Sequence, residues 1–416
     1  NHGNHLFGKF KGVPAIICGA GPSLNKNIDL LKTLEDKALI FAGGSSLNAL
    51  NDKGFRPHFG AGIDPNPPQF QRLRTSSSFE TPFFYRGRMF HDAFRMVHGP
   101  KLYLNGTGGY FISQWFEEEL GIEGEIIDEG HNVVNFSVEI AKAMGCNPII
   151  FVGMDLAYTG MQTYASGIVK NVDISPEDAN SNTGMDSSAF MRNDIYGEPV
   201  HTVWKWVTES DWIGAYAKEN SQMKFLNATE GGLGFPGIRN ESLQNVADEL
   251  LEDSRNLRNR VHMEVQNADL PELTQERLLE LMQEMDQSLE KSISACEGIL
   301  EEIDVVKVRL EKGKRVEDNL QTGKAALYEV ELTEEIAYTY ILESMGTASA
   351  KIMERQYHQI AYDKTLKSDL QRNLKKLEIN GNKVKFLKGA AEMNRKLMEV
   401  SLKKYNLLKK ETEVEA

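Results

Sequence analysis

Residues 13–25, Val13-Pro14-Ala15-Ile16-Ile17-Cys18-Gly19-Ala20-Gly21-Pro22-Ser23-Leu24-Asn25, pass from an apolar run through two glycines into a helix-forming sequence. That is the pattern of a buried strand emptying into a tight loop. Gly19 and Gly21 permit backbone angles and a close ligand approach that a Cβ would block, and the helix start beyond them offers N–H groups to an anion. A phosphate is the simplest occupant; a plain strand-to-helix turn is the alternative. A dinucleotide fingerprint needs a third glycine where Leu24 stands and an acid closing the next strand, yet Ala38-Leu39-Ile40-Phe41-Ala42 runs into Gly43-Gly44-Ser45-Ser46. A Walker loop needs Gly-Lys-Ser/Thr after its spacer and meets Asn25-Lys26-Asn27 instead. Both readings are set aside.

From about residue 13 to 240, strand-like and helix-like stretches alternate, which predicts a largely parallel, Rossmann-like α/β sheet covered on both faces. The predicted strands are 15–18, 38–42, 58–62, 82–85, 101–104, 125–127, 148–152 and 224–227. Ligands in such sheets bind beyond the carboxyl ends of the strands, so the residues that close each strand carry the functional reading. After about Glu241 the composition turns to Leu, Glu, Lys, Met and Gln, which predicts an all-α helical bundle over 241–416. Leu278, Met282, Met285, Leu289, Cys296, Ile299, Ile303, Val306 and Leu310 fall at alternating spacings of three and four, with Ser292 interrupting. They predict a helix of roughly 60 Å at about 1.5 Å per residue. Further helices are predicted from Thr333 to about Leu377 and, after a turn at Asn380-Gly381-Asn382, from Lys383 to about Lys409. Such a bundle serves either as a scaffold or as a surface for a helical partner.

The 416 residues exceed one ordinary core, so two domains are expected, over 13–240 and 241–416, with residues 1–12 read as the end of a preceding segment because the chain opens on Asn1. A net charge of −13 argues against a nucleic-acid partner. No apolar run approaches the ~20 residues that span a bilayer and no secretion signal is visible, so a cytoplasmic protein without a membrane span is expected. The three cysteines, Cys18, Cys146 and Cys296, are scattered and suit buried hydrophobes rather than disulfides or metal ligands. Oligomeric state is not fixed by the sequence.

Several strand ends look chemical. Asp64 stands where a strand stops before Pro65, facing the ligand crevice or capping the next helix. The small-residue loop Asn105-Gly106-Thr107-Gly108-Gly109 suits a sugar or phosphate, or merely turns the chain. His131 opens an apolar helix as a cap or a donor. After the strand Ile149-Ile150-Phe151-Val152 come Gly153-Met154-Asp155 and two tyrosines, Tyr158 and Tyr164, six residues apart across a glycine turn. Loop tyrosines offer a phenol to a phosphate while the ring covers a sugar or base; simple packing is the other reading. The polar stretch 167–197 reads as a flap, followed by His201, a histidine suited to deprotonating an attacking hydroxyl. Asn227-Ala228-Thr229-Glu230-Gly231-Gly232 closes the last strand with polar groups and glycines.

Together, Gly19-Ala20-Gly21-Pro22-Ser23-Leu24, Gly153-Met154-Asp155-Leu156-Ala157-Tyr158-Thr159-Gly160 and Asn227-Ala228-Thr229-Glu230-Gly231-Gly232 closely resemble the motility-associated factor family of flagellin glycosyltransferases, whose catalytic region is similar to bacterial sialyltransferases. The resemblance covers residues 1–240 and, more loosely, the helical tail. It implies a sialyltransferase-like domain that moves a nonulosonic acid, such as pseudaminic or legionaminic acid, from a CMP-activated donor to Ser or Thr of flagellin. CMP-sugar is then the donor substrate, no cofactor is required, and with no DxD pair neither a bound metal nor Mg²⁺ is expected to be essential. Gly19, Ala20, Gly21, Pro22 and Ser23 match the nucleotide loop, with Ala20 replacing an asparagine of the sialyltransferases, and Gly43, Ser45, Thr107, Gly108 and Asp155 are assigned to the same nucleotide-sugar site. Tyr158 and Tyr164 match the tyrosines that hold the departing phosphate. His201 corresponds more loosely to the catalytic histidine, with Asp64 or Glu230 as the reserve base. The helical tail is expected to dock flagellin. The same broad family is also similar to an ATP- and Mg²⁺-dependent pterin pyrophosphokinase in which Asp64 and Asp155 would hold the metal, and a non-catalytic helical adaptor is a third reading.

Overall fold

A computed structural model describes residues 1–67, 70, 80–106, 108–168, 173–174, 186, 188–313 and 323–415. They form two compact units, residues 1–108 with 123–270, and residues 109–122 with 271–416.

The first unit is built on an eight-stranded sheet in the order β10-β9-β6-β1-β2-β3-β4-β5. The strands are β1 (Ala15–Cys18), β2 (Leu39–Gly43), β3 (Phe59–Gly62), β4 (Phe83–Tyr85), β5 (Lys101–Tyr103), β6 (Ile149–Val152), β9 (Phe225–Asn227) and β10 (Arg239–Asn240). Every pairing is parallel; Ala15 lies opposite Leu39 on one side and Ile149 on the other. The remaining strands, β7 (Phe190–Asn193) and β8 (Pro199–Thr202), make a separate antiparallel hairpin.

Burial on both faces explains why β1 is apolar throughout. Alternate side chains enter opposite faces of the sheet. Ile17 joins a core with Phe41, Phe59, Phe136 and Ile140, whereas Ile16 joins another with Leu24, Ile28 and Leu31. The helices covering these faces are α1 (Leu24–Thr33) for the Ile16 side and α5 (Val133–Ala143) for the Ile17 side; α2 (Ser45–Asp52), α3 (His91–Arg95) and α4 (Ile112–Glu119) lie between them in sequence. Asn132 starts α5 by accepting from the Val134 and Asn135 amides at 2.8 and 3.2 Å. Each fully buried aliphatic or aromatic side chain here contributes about 1.5–3 kcal/mol of burial free energy.

Four expectations change. Residues 1–12 belong to the sheet unit, because Leu6 and Phe10 are fully buried in its core and the Tyr103 amide donates to the Asn1 carbonyl. The sheet unit extends to Leu270 rather than 240. Beyond α6 (Trp204–Glu219), the helices α7 (Leu243–Leu250) and α8 (Leu257–Gln266) bury Leu243, Val246, Leu257 and Val261 against the two sheet faces. Residues 125–127 form no strand: the Glu125 carbonyl accepts from Asn4, the Ile127 carbonyl accepts from Arg86, and Ile126 is exposed. The 167–197 stretch, read as a flap, contains β7 where it is described.

The second unit comprises α4, α9 (Gln275–Glu311), α10 (Lys324–Glu334), a π turn at Tyr338–Leu342, α11 (Glu343–Ile360) and α12 (Asp369–Glu415). Helix α9, 37 residues long, corresponds to about 55 Å. Met285, Leu289, Cys296, Ile299, Ile303 and Val306 form its buried seam as predicted, but the seam begins at Leu281, not at Leu278, which is exposed. The expected turn at Asn380-Gly381-Asn382 lies inside continuous α12. Leu377, Ile379, Val384 and Leu387 around it are buried and Asn380 accepts from the Tyr357 hydroxyl, so packing overrides local turn preference. The chain breaks instead between Ile360 and Asp369, where the Asp363 carboxylate accepts from the Thr365 amide at 2.9 Å. Among the described residues no helix is long and apolar enough to cross a membrane.

Candidate active site

Sheet order locates the site. From β1 the chain builds outward through β2 to β5 and then returns to the other edge of β1 with β6. The carboxyl ends of β1 and β6 therefore flank a topological switch point, the place where open α/β sheets bind ligands. Three loops meet there: Gly19–Ser23 after β1, Gly153–Ala157 after β6, and Ala228–Gly232 after β9.

Asp155 joins the first two. Its carboxylate, 1% exposed, accepts from the Ser23 amide at 2.9 and 3.2 Å. The glycines are required by this approach, since a Cβ on Gly21 would lie 2.7 Å from the Asp155 carboxylate. The Gly19 amide donates to Val152 and that of Gly21 to Gly153, both at 2.8 Å. Burial pushes the Asp155 carboxyl up to about 6, against the opposing pull of the Ser23 hydrogen bonds and Lys26. The anion position at the start of α1 is thus filled from within. Pro22 has no N–H, so among the described residues Ala20 retains the one amide of this loop that is not donated.

The third loop completes the clamp. Thr229 Oγ1 accepts from the Met154 amide at 3.0 Å, and the Leu233 amide donates to the Asp155 carbonyl at 2.9 Å. Gly232, at φ +71°, passes so close to the Asp155 backbone that a side chain has no room. Glu230, the reserve base, has its carboxylate engaged by Asn27 Nδ2 at 2.7 Å and by the Leu243 amide at 3.4 Å. It ties α1 to the start of α7.

The two tyrosines differ. Tyr158 is 7% exposed, packs on Trp206 with ring centroids 4.9 Å apart, and its hydroxyl accepts from the Asp186 amide at 3.1 Å. It is the centre of a small core with Ile174 and Val203. Tyr164 is 37% exposed on a loop that lies over the glycine turn: the Ala165 amide donates to the Ala20 carbonyl at 3.0 Å and the Ser166 amide to Asn25 at 3.1 Å. One tyrosine is buried, and the other stands half-exposed on a segment whose next two amides bond the Ala20 carbonyl and Asn25.

His201 lies in β8, and its carbonyl accepts from the Tyr158 amide at 2.8 Å. Its cross-strand partner is Met191, so its side chain lies on the face opposite to that of Val200 and Thr202. Gly43 is the last residue of β2 and lies against Val133, and its amide and carbonyl both bond the Ser46 hydroxyl at 3.0 Å, next to half-buried Ser45. The Asp64 carbonyl accepts from the Phe90 amide at 2.9 Å. Thr107 lies outside the described residues.

Gly108 leads to a group that the sequence reading missed. The turn at Gly106 and Gly108, at φ +130° and +53°, makes room for Arg86 and Arg88 beyond β4. Both arginines reach Glu129, at 3.6 and 3.0 Å, and Arg86 is buried over the Phe136 ring. The Arg-Gly-Arg triplet straight after an aromatic strand was the available signal.

Comparison with known proteins adds three findings. Residues 1–161 match a family model described as MptE-like, 6-hydroxymethylpterin diphosphokinase MptE-like. No curated protein matches the chain. Among solved structures it is similar to the MAf glycosyltransferase from Magnetospirillum magneticum AMB-1, at 12% identity and a TM-score of 0.52. That alignment covers 97% of this chain and 59% of the other, so the chain spans about three-fifths of the length of that protein. The resemblance drawn from the motifs is borne out: an MptE-like amino-terminal region stands within a chain that has the fold of a motility-associated-factor glycosyltransferase.

Proposed function

We propose that the chain is a glycosyltransferase that moves a nonulosonic acid from a CMP-activated donor to a Ser or Thr hydroxyl of flagellin. The observation that carries this reading is the convergence, at the β1/β6 switch point, of the glycine loop, the Tyr164 loop and the hairpin bearing His201. In this reading the hydroxyl attacks the anomeric carbon, His201 takes its proton, and CMP leaves. Because Asp155 holds the Ser23 amide, the leaving phosphate is assigned to the Ala20 N–H and the Tyr164 phenol, while Tyr158 keeps a packing role in its small core. Hydrogen bonds that strengthen as phosphate charge develops lower the barrier directly. The second unit is proposed to dock the helical part of flagellin.

The family match over residues 1–161 favours a second reading, an ATP- and Mg²⁺-dependent pyrophosphokinase with Asp64 and Asp155 on the metal. The engagement of the Asp155 carboxylate by the Ser23 amide weighs against it. Calorimetric titration with CMP, with ATP plus Mg²⁺ and with NAD separates the two. CMP binding alone supports sugar transfer; ATP binding that depends on Mg²⁺, without CMP binding, replaces it with phosphoryl transfer.

A further inference from the structure

The β7–β8 hairpin carries a surface that the chemistry above leaves unused. Phe190 and Arg192 are two apart in β7, and they lie opposite Thr202 and Val200. The Thr202 hydroxyl donates to the Leu156 carbonyl at 2.7 Å, which ties the hairpin to the loop that follows β6. Trp204, the first residue of α6, lies with its ring centroid 4.7 Å from that of Phe190 at an interplanar angle of 34°. The Arg192 guanidinium is 5.9 Å from the Phe190 ring and 5.7 Å from the Trp204 ring.

Trp204 is 62% exposed, although the small core beneath the hairpin is formed by Tyr158, Ile174 and Val203 without it. Among the described residues Arg192 makes no ion pair, in a chain of net charge −13. An indole left in water forgoes apolar burial that a ligand can recover. The platform is also anchored, by Tyr158 N–H to the His201 carbonyl at 2.8 Å and Ile195 N–H to the Gly232 carbonyl at 2.9 Å.

A pyranose ring presents an apolar C–H face bordered by hydroxyls, and a carboxylate on that ring matches the planar fork of an arginine. An aromatic platform covers the apolar face while the hydroxyls stay hydrated. A pyrimidine base would use the indole but leave the guanidinium without an anion. We propose that Phe190, Arg192 and Trp204 form a subsite for a carboxylated pyranose, with the ring on the indole and the carboxylate on Arg192. The inference rests on the sugar-transfer reading and states where its sugar acid is held.

The test is calorimetry on the full chain with N-acetylneuraminic acid, with neutral N-acetylglucosamine, and with CMP. Trp204→Ala is expected to weaken binding of the sugar acid at least tenfold, and Arg192→Met to bring it down to the level of the neutral sugar, both without changing CMP affinity. Sugar-acid binding unaltered in both variants overturns the subsite, and retained CMP binding then leaves the transfer reading standing. Loss of CMP binding in the unsubstituted chain, with Trp204-dependent sugar-acid binding kept, overturns that reading and upholds the subsite. Failure of both ligands overturns both.

Discussion

Asp155 offers a quantitative test of the clamp between β1 and β6. Its carboxyl titrates near 6 in the folded chain, raised by burial from an ordinary 3.8. The unfolded chain therefore releases this proton first as pH rises, and between those values the folded state binds it more tightly. The resulting stability is fully present below about 3.8 and is lost as pH climbs through about 6. The difference corresponds to about 3 kcal/mol. Asp155→Asn keeps an oxygen to accept from the Ser23 amide but cannot titrate. On going from pH 7 to pH 4, the unsubstituted chain should gain about 2.4 kcal/mol relative to the variant, most of the full difference. Urea unfolding followed by circular dichroism at several pH values measures both chains, and subtraction cancels the other carboxylates. A difference that stays flat refutes the buried-acid argument. One that swings the other way shows that the Ser23 hydrogen bonds outweigh burial.

The tyrosines should separate by role: Tyr158→Phe loses the bond from the Asp186 amide and about 1 kcal/mol of stability, whereas Tyr164→Phe is expected to unfold like the unsubstituted chain while slowing turnover with CMP-sugar. Equal unfolding midpoints for Tyr158→Phe and the parent chain would remove Tyr158 from its structural role. His201→Ala should lower turnover by about 10²–10⁴-fold if it removes the acceptor proton, with CMP affinity unchanged; a rate within twofold of the parent assigns the base elsewhere. Gly232→Ala combines a left-handed φ with a side chain driven against the Asp155 backbone, and should cost at least about 1–3 kcal/mol. An unchanged thermal midpoint would show that this turn relaxes freely.

The sheet was legible because parallel strands buried on both faces are continuous apolar runs, and each ends where glycine or a polar residue appears, as at Cys18-Gly19 and Val152-Gly153. The hairpin was not, because Met191, Arg192 and Asn193 are exposed and its extended conformation depends on Val200 and Thr202 docking. A local signal cannot report that. The residues of the switch point were legible as types, yet their use was not. The glycines read as a phosphate cradle, whereas the anion they receive is Asp155, distant in sequence. Likewise Asn380-Gly381-Asn382 carries turn chemistry but lies among buried Leu377, Ile379 and Val384, so the helix continues.

The strand order also dictates when the site can exist. β1 reaches β2 across one short helix, a local step, but its other edge is completed by β6, and the Ser23–Asp155 bond spans 132 residues. Closing so long a connection is entropically late in folding. A nascent chain thus holds its first strand with one side unzipped, and the Ser23–Asp155 clamp closes only once the downstream half arrives, so the integrity of that clamp reports a chain folded from β1 through β6.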